Sequence, residues 1–124
     1  SRSTLQVSSR NRADDGLIAQ LLEEHREPVG VFCYHDLIAA QLYRVCKRLG
    51  RRIPQDVGIV GFDDLSIATN LSPSLTTVQY RIASMADMTV KLMIDCIQNP
   101  DTPYDNYYVE PNLVIRESSL LSGH

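Results

Sequence analysis

The chain has no basic excess, no apolar run of membrane-spanning length and no cysteine–histidine cluster at metal spacing. Each absence removes a class of function. A formal net charge of −3 over 124 residues argues against a free-standing nucleic-acid binder, which carries a basic surplus. No stretch approaches the roughly 20 apolar residues of a membrane helix, and no signal peptide is visible. Three cysteines leave one over from any pairing, and none has zinc spacing with His25, His35 or His124. Cys33, Cys46 and Cys96 each sit among apolar residues. That pattern predicts buried thiols in a reducing, cytoplasmic compartment. There is no G-x-S-x-G, no Walker loop, no repeat and no low-complexity tract. Gly58 and Gly61 lie inside an apolar run, not at a helix start. Neither an enzyme activity nor a metal nor a cofactor is expected.

What is present suits one domain with a real core: 44% of the residues are apolar. Residues 1–12 are polar and basic, apart from Leu5 and Val7, which alternate as in one short strand. Leu17, Ile18, Leu21 and Leu22 recur at helical spacing within residues 13–26, with Asp14 and Asp15 in the first turn. Pro28 stops that helix, and residues 29–33 read as a buried strand. Asp36 is placed to cap the next helix, on which Ile38, Leu42, Val45 and Leu49 form one stripe. Gly50 closes it, and Lys47, Arg48, Arg51 and Arg52 complement its dipole rather than forming a phosphate patch.

Residues 57–62, Val-Gly-Ile-Val-Gly-Phe, form a short, continuous apolar run. Such a run predicts a strand buried on both faces, as in a parallel sheet. It ends in Asp63 and Asp64, and α/β sheets bind ligands where their strands run out. A short helical turn is expected over residues 65–71, a strand over 76–79 and an amphipathic helix over 82–98. Late strands are expected at 107–109 and 113–115. Alternating strands and helices indicate an α/β fold, a parallel sheet flanked by helices.

Four segments, in order, resemble the LacI/GalR family of transcriptional regulators. Val31-Phe32-Cys33-Tyr34-His35-Asp36-Leu37-Ile38-Ala39 is similar to its strand-to-helix segment, where Asn commonly stands in place of His35. Residues 49–64 contain Gly50, Ile53-Pro54, Asp56 and the Gly61-Phe62-Asp63-Asp64 ending. Ser72-Pro73-Ser74-Leu75-Thr76-Thr77-Val78 and Leu113-Val114-Ile115-Arg116-Glu117-Ser118 complete the set. The resemblance covers about residues 28–118.

It implies one lobe of a two-lobed fold of the periplasmic-binding-protein type. Residues 1–124 would be a partial effector-binding domain, mostly its C-terminal lobe. The helix over 82–98 would pack on an N-terminal lobe that is not in this chain. A small-molecule effector, a sugar or a nucleobase, would bind between the lobes. Operator DNA would be bound through a headpiece outside these residues, and a homodimer is expected, with no membrane partner.

Within that frame Asp63 matches the family's effector-binding carboxylate. An ionised carboxylate offers acceptor oxygens to sugar hydroxyls or base N–H groups. Asp64 is assigned to the turn. His35 is a ligand candidate weighed evenly against a surface histidine at a strand end. Tyr80 is a stacking or hydroxyl candidate weighed against hinge packing, and Tyr34 one weighed against core packing. Arg10 and Arg12 are read as solvated. The alternative is a periplasmic sugar-binding protein of the same fold. A flavodoxin-like enzyme or response regulator rests on the α/β pattern alone.

Overall fold

The computed structural model describes residues 14–120. The short strand expected at Leu5–Val7 and the arginines Arg10 and Arg12 lie outside the described residues. Asp14 caps the first helix, α1 (Asp15–Glu24), by accepting the Gly16 N–H at 2.9 Å. Strand β1 (Val29–Phe32) follows, then helix α2 (Asp36–Arg48) and strand β2 (Val57–Phe62). A four-residue helix α3 (Ile67–Asn70) leads into strand β3 (Thr76–Gln79). Helix α4 (Ile82–Gln98), strand β4 (Asn112–Val114) and one 3-10 turn (Glu117–Ser119) complete the order.

The sheet runs β1-β2-β3-β4. The first three strands are parallel and β4 is an antiparallel edge, so the expected parallel sheet is mixed at one side. Helices α1 and α2 cover one face. Leu22, Leu42, Val45, Cys46, Val57 and Ile59 close the core there. Val45 and Ile59 are fully buried, and each such side chain contributes about 1.5–3 kcal/mol of transfer free energy.

Strand β2 departs from expectation. Val57, Ile59 and Gly61 are buried, but Gly58, Val60 and Phe62 are only partly covered. On that second face, among the described residues, the 3-10 turn covers the strand near Gly58. Alternating burial follows because a strand sends successive side chains to opposite faces.

The end of α2 matches its sequence signal. Gly50 has φ of +68°, Gly50 N–H donates to the Lys47 carbonyl, and Arg51 N–H donates to the Cys46 carbonyl at 2.9 Å. These are the two bonds of a Schellman close, with glycine in the left-handed position. The basic run is absorbed locally. Arg51 donates to the Leu22 and His25 carbonyls at the end of α1, and Arg52 pairs with Asp56 at 2.9 Å.

Two further expectations need correction. Residues 107–109 form no strand, since Tyr107 and Tyr108 are 56% and 85% exposed and no neighbouring strand pairs with them. Aromatic content favours a strand only where a partner exists. Cys33 and Cys46 are buried, but Cys96 on α4 is exposed. Burial pushes the Cys33 thiol up to about 12 and that of Cys46 up to about 11, so both remain protonated and pack as small apolar groups.

Candidate ligand site at the carboxyl edge of the sheet

Parallel strands end on the same side, and that geometry assembles the site. Phe32 lies opposite Val60 in the β1–β2 register, so three residues further on His35 meets Asp63. Phe62 lies opposite Val78, two residues before Tyr80. The sequence-predicted residues Asp63, His35 and Tyr80, far apart in the chain, therefore converge at one edge.

Asp63 is the centre. His35 Nε2 lies 3.1 Å from its Oδ2. The other ring nitrogen, Nδ1, accepts the Leu37 N–H at 3.2 Å. A nitrogen that accepts carries no proton, so the hydrogen-bond geometry assigns the proton to Nε2, which donates to Asp63. The imidazole thus links helix α2 to the turn after β2. The Tyr80 hydroxyl lies near the Asp63 carboxylate, whose acceptor oxygens and negative charge raise the tyrosine's pKa. The Tyr80 ring lies against Phe62, with centroids 5.8 Å apart.

Tyr34 does not join this cluster. It is 63% exposed and makes no hydrogen bond or ring contact among the described residues. Phe32 and Leu37, its neighbours in sequence, are exposed as well. The readings of Tyr34 and Tyr80 as packing groups therefore fail for Tyr34, while Tyr80 is half-buried.

The assignment of Asp36 as a helix cap is corrected. The cap is His35, and Asp36 is the first helical residue, fully buried. Its Oδ1 accepts the Thr77 hydroxyl and its Oδ2 the Leu65 N–H, both at 2.7 Å. It ties α2 to β3 and to the turn after β2. A Cβ at Gly61 would collide with that carboxylate, so glycine is needed there for close approach. Asp64 is occupied too: Arg116 reaches Oδ1 and Gln79 reaches Oδ2, each at 2.8 Å.

The closing Arg-Glu-Ser segment staples β2 and β3. Ser118, fully buried, donates to the Ile59 carbonyl at 2.6 Å and accepts the Thr76 N–H at 2.8 Å. Sequence reasoning missed Asp36, Thr77, Gln79 and Arg116 as supports. The available signal was that three of them lie inside matched motifs.

The site holds a carboxylate with an imidazole and a phenol beside it. It can accept hydrogen bonds from hydroxyl or N–H groups of a small polar molecule. Among the described residues, no group of three or more histidine, cysteine or acidic side chains is placed to hold a metal ion. None of their helices is long and apolar enough to cross a membrane.

The periplasmic binding protein-like domain family matches residues 2–119. The ribose operon repressor of Haemophilus influenzae is 39% identical over 101 residues, 82% of this chain and 30% of that protein. The HTH-type transcriptional repressor PurR of Aliivibrio fischeri is 26% identical over 91% of this chain and 33% of its own length. A LacI family transcriptional regulator from Enterococcus faecium, solved with bound ribose, superposes with a TM-score of 0.73. It is 30% identical, over 85% of this chain and 38% of that one. The chain spans about a third of the length of the curated relatives it matches. These relatives are repressors, which supports a regulator's domain over the periplasmic sugar-binding alternative. The chain belongs to the periplasmic-binding-protein-like domain family and is similar to one part of LacI family regulators.

Proposed function

We propose that this chain is the C-terminal part of the effector domain of a cytoplasmic, DNA-binding transcriptional regulator, and that Asp63 is its principal effector contact. The observation that carries this reading is the convergence of His35 and Tyr80 on a carboxylate at the carboxyl edge of parallel strands. Asp63 accepts hydrogen bonds from a sugar, with a nucleobase as the second candidate. His35 and Tyr80 orient the carboxylate and give way to, or share it with, the ligand. Tyr34 offers its exposed ring as a stacking face. The ribose-bound neighbour and the ribose operon repressor support sugar, and PurR supports retaining a nucleobase in the test set. The chain performs no catalytic step. Operator DNA is bound by a headpiece outside these residues, and the effector alters operator affinity.

The apolar face of α4 docks on a companion lobe in the longer protein. In the isolated chain that face drives self-association, because Ile82, Met93 and Ile97 are 65%, 58% and 77% exposed.

Isothermal titration of the full-length protein with ribose, other pentoses and hexoses, and purine bases tests the site. Asp63→Asn is expected to abolish effector response and leave operator binding intact. Induction that survives the substitution sinks the assignment. Sedimentation of the isolated chain as a helical monomer would refute the association.

A further inference from the structure

Asp63 and Asp64 have φ of +101° and +50°. Non-glycine residues rarely adopt the left-handed region, and two in succession persist only when their surroundings over-determine them. The ties are explicit. Asp63 N–H donates to the Val78 carbonyl at 2.9 Å, and Leu65 N–H donates to Asp36 at 2.7 Å. Between these, the Asp64 side chain is gripped from two directions, by Gln79 on β3 and by Arg116 just beyond β4.

Arg116 is itself pinned. Its N–H donates to Thr76 Oγ1 at 2.8 Å, and its carbonyl accepts the Thr76 hydroxyl at 2.9 Å. One guanidinium nitrogen donates to the Leu75 carbonyl at 2.9 Å, while the other meets Asp64 at 2.8 Å. The paired side chains are only 18% and 13% exposed, so solvent screens the pair far less than a surface ion pair.

We infer that Arg116 is a positioning residue for the candidate site. By forking between Leu75 and Asp64 it holds the left-handed turn and so aims Asp63 at His35 and Tyr80. Arg116 touches neither His35 nor Tyr80 and acts through Asp64. The inference deepens, and rests on, the reading of Asp63 as the effector contact.

Tyr80 reports the position of the Asp63 carboxylate without any effector. The experiment is a pH titration of the full-length protein labelled with 13C-tyrosine, followed by NMR, with Tyr80→Phe identifying the resonance. The wild-type Tyr80 is expected to titrate above the ordinary tyrosine range, because the Asp63 carboxylate beside it disfavours the phenolate. Arg116→Lys keeps the charge but replaces the planar fork, whose two separate nitrogens reach Leu75 and Asp64, with a single compact ammonium. Arg116→Lys and Asp64→Asn each lower the Tyr80 midpoint toward the ordinary value of about 10, and the double variant lowers it no further. Ser74→Ala, which removes only the neighbouring hydroxyl contact to Glu117, leaves it unchanged.

A wild-type Tyr80 midpoint in folded Arg116→Lys and Asp64→Asn overturns the inference. Should Arg116→Lys not fold, the isosteric Asp64→Asn decides by itself. An effector response that survives Asp63→Asn would sink the effector assignment and leave the positioning role standing.

Discussion

Helices α2 and α4 both carry a clear apolar stripe, yet they sit in opposite circumstances. Helix α2 buries seven of its residues, while α4, at 17 residues, buries none. The termini differ as well. His35 caps α2, whereas α4 has Arg81 at its N-cap with no side-chain hydrogen bond. An amphipathic pattern therefore announces that a partner exists without saying where it lies. For α2 the partner is the sheet beside it in the same chain. For α4 it is not among the described residues.

The largest expected effect breaks or keeps this contrast directly. Leu42→Ala in α2 leaves a cavity and should cost roughly 2–5 kcal/mol in urea unfolding. Ile97→Ala in α4 should change the isolated chain by less than about 0.5 kcal/mol, as exposed substitutions do. Equal losses would mean that α4 is already packed. In the full-length protein Ile97→Ala is expected to become costly, which would locate its partner.

The next effect tests why α2 sits so close to β2. Gly61→Ala pushes a methyl group into the Asp36 carboxylate, which Thr77 and Leu65 hold in place. Overpacking of this kind costs about 1–3 kcal/mol, read as a lowered denaturation midpoint. A smaller change separates the two helix starts. His35→Ala removes the cap of α2 and should cost about 1 kcal/mol, while Arg81→Ala, with no cap bond to lose, should be near neutral.

The smallest effect is acid dependence. The Arg52 hydrogen bonds hold the Asp56 carboxyl down at about 2, and the Ser74 N–H and hydroxyl lower that of Glu117. A depressed carboxyl contributes stability that is fully present above its unfolded value of about 4 and lost as pH falls through the folded value. Stability should therefore hold down to about pH 5 and decline below it. Asp56→Asn should flatten that decline slightly, because exposed ion pairs contribute little.

Much of the fold was legible in local pattern. The stripe on α2, the Gly50 close and the run at Val57–Phe62 each follow from short-range periodicity and turn chemistry. The expected strand at residues 107–109 failed because strand formation depends on a neighbour, which composition cannot report. The same limit explains Asp36. Its place before an apolar stripe suggested a cap, but its carboxylate bonds residues 29 and 41 positions away. Cys96 likewise sits among apolar residues in sequence and faces solvent on α4.

The candidate site divides along the same line. The sequence by itself determined that a carboxylate would stand at the end of a buried strand, and that His35 and Tyr80 would follow parallel strands. Those facts depend on residues near one another in the chain. Only the tertiary structure decided that Asp63 is held by His35 with Tyr80 nearby, that Asp64 is occupied by Gln79 and Arg116, and that Tyr34 stands apart. The physical reason is range. Periodicity and capping act over a few residues, whereas an ion pair between positions 64 and 116 exists only after the sheet has brought two distant turns together.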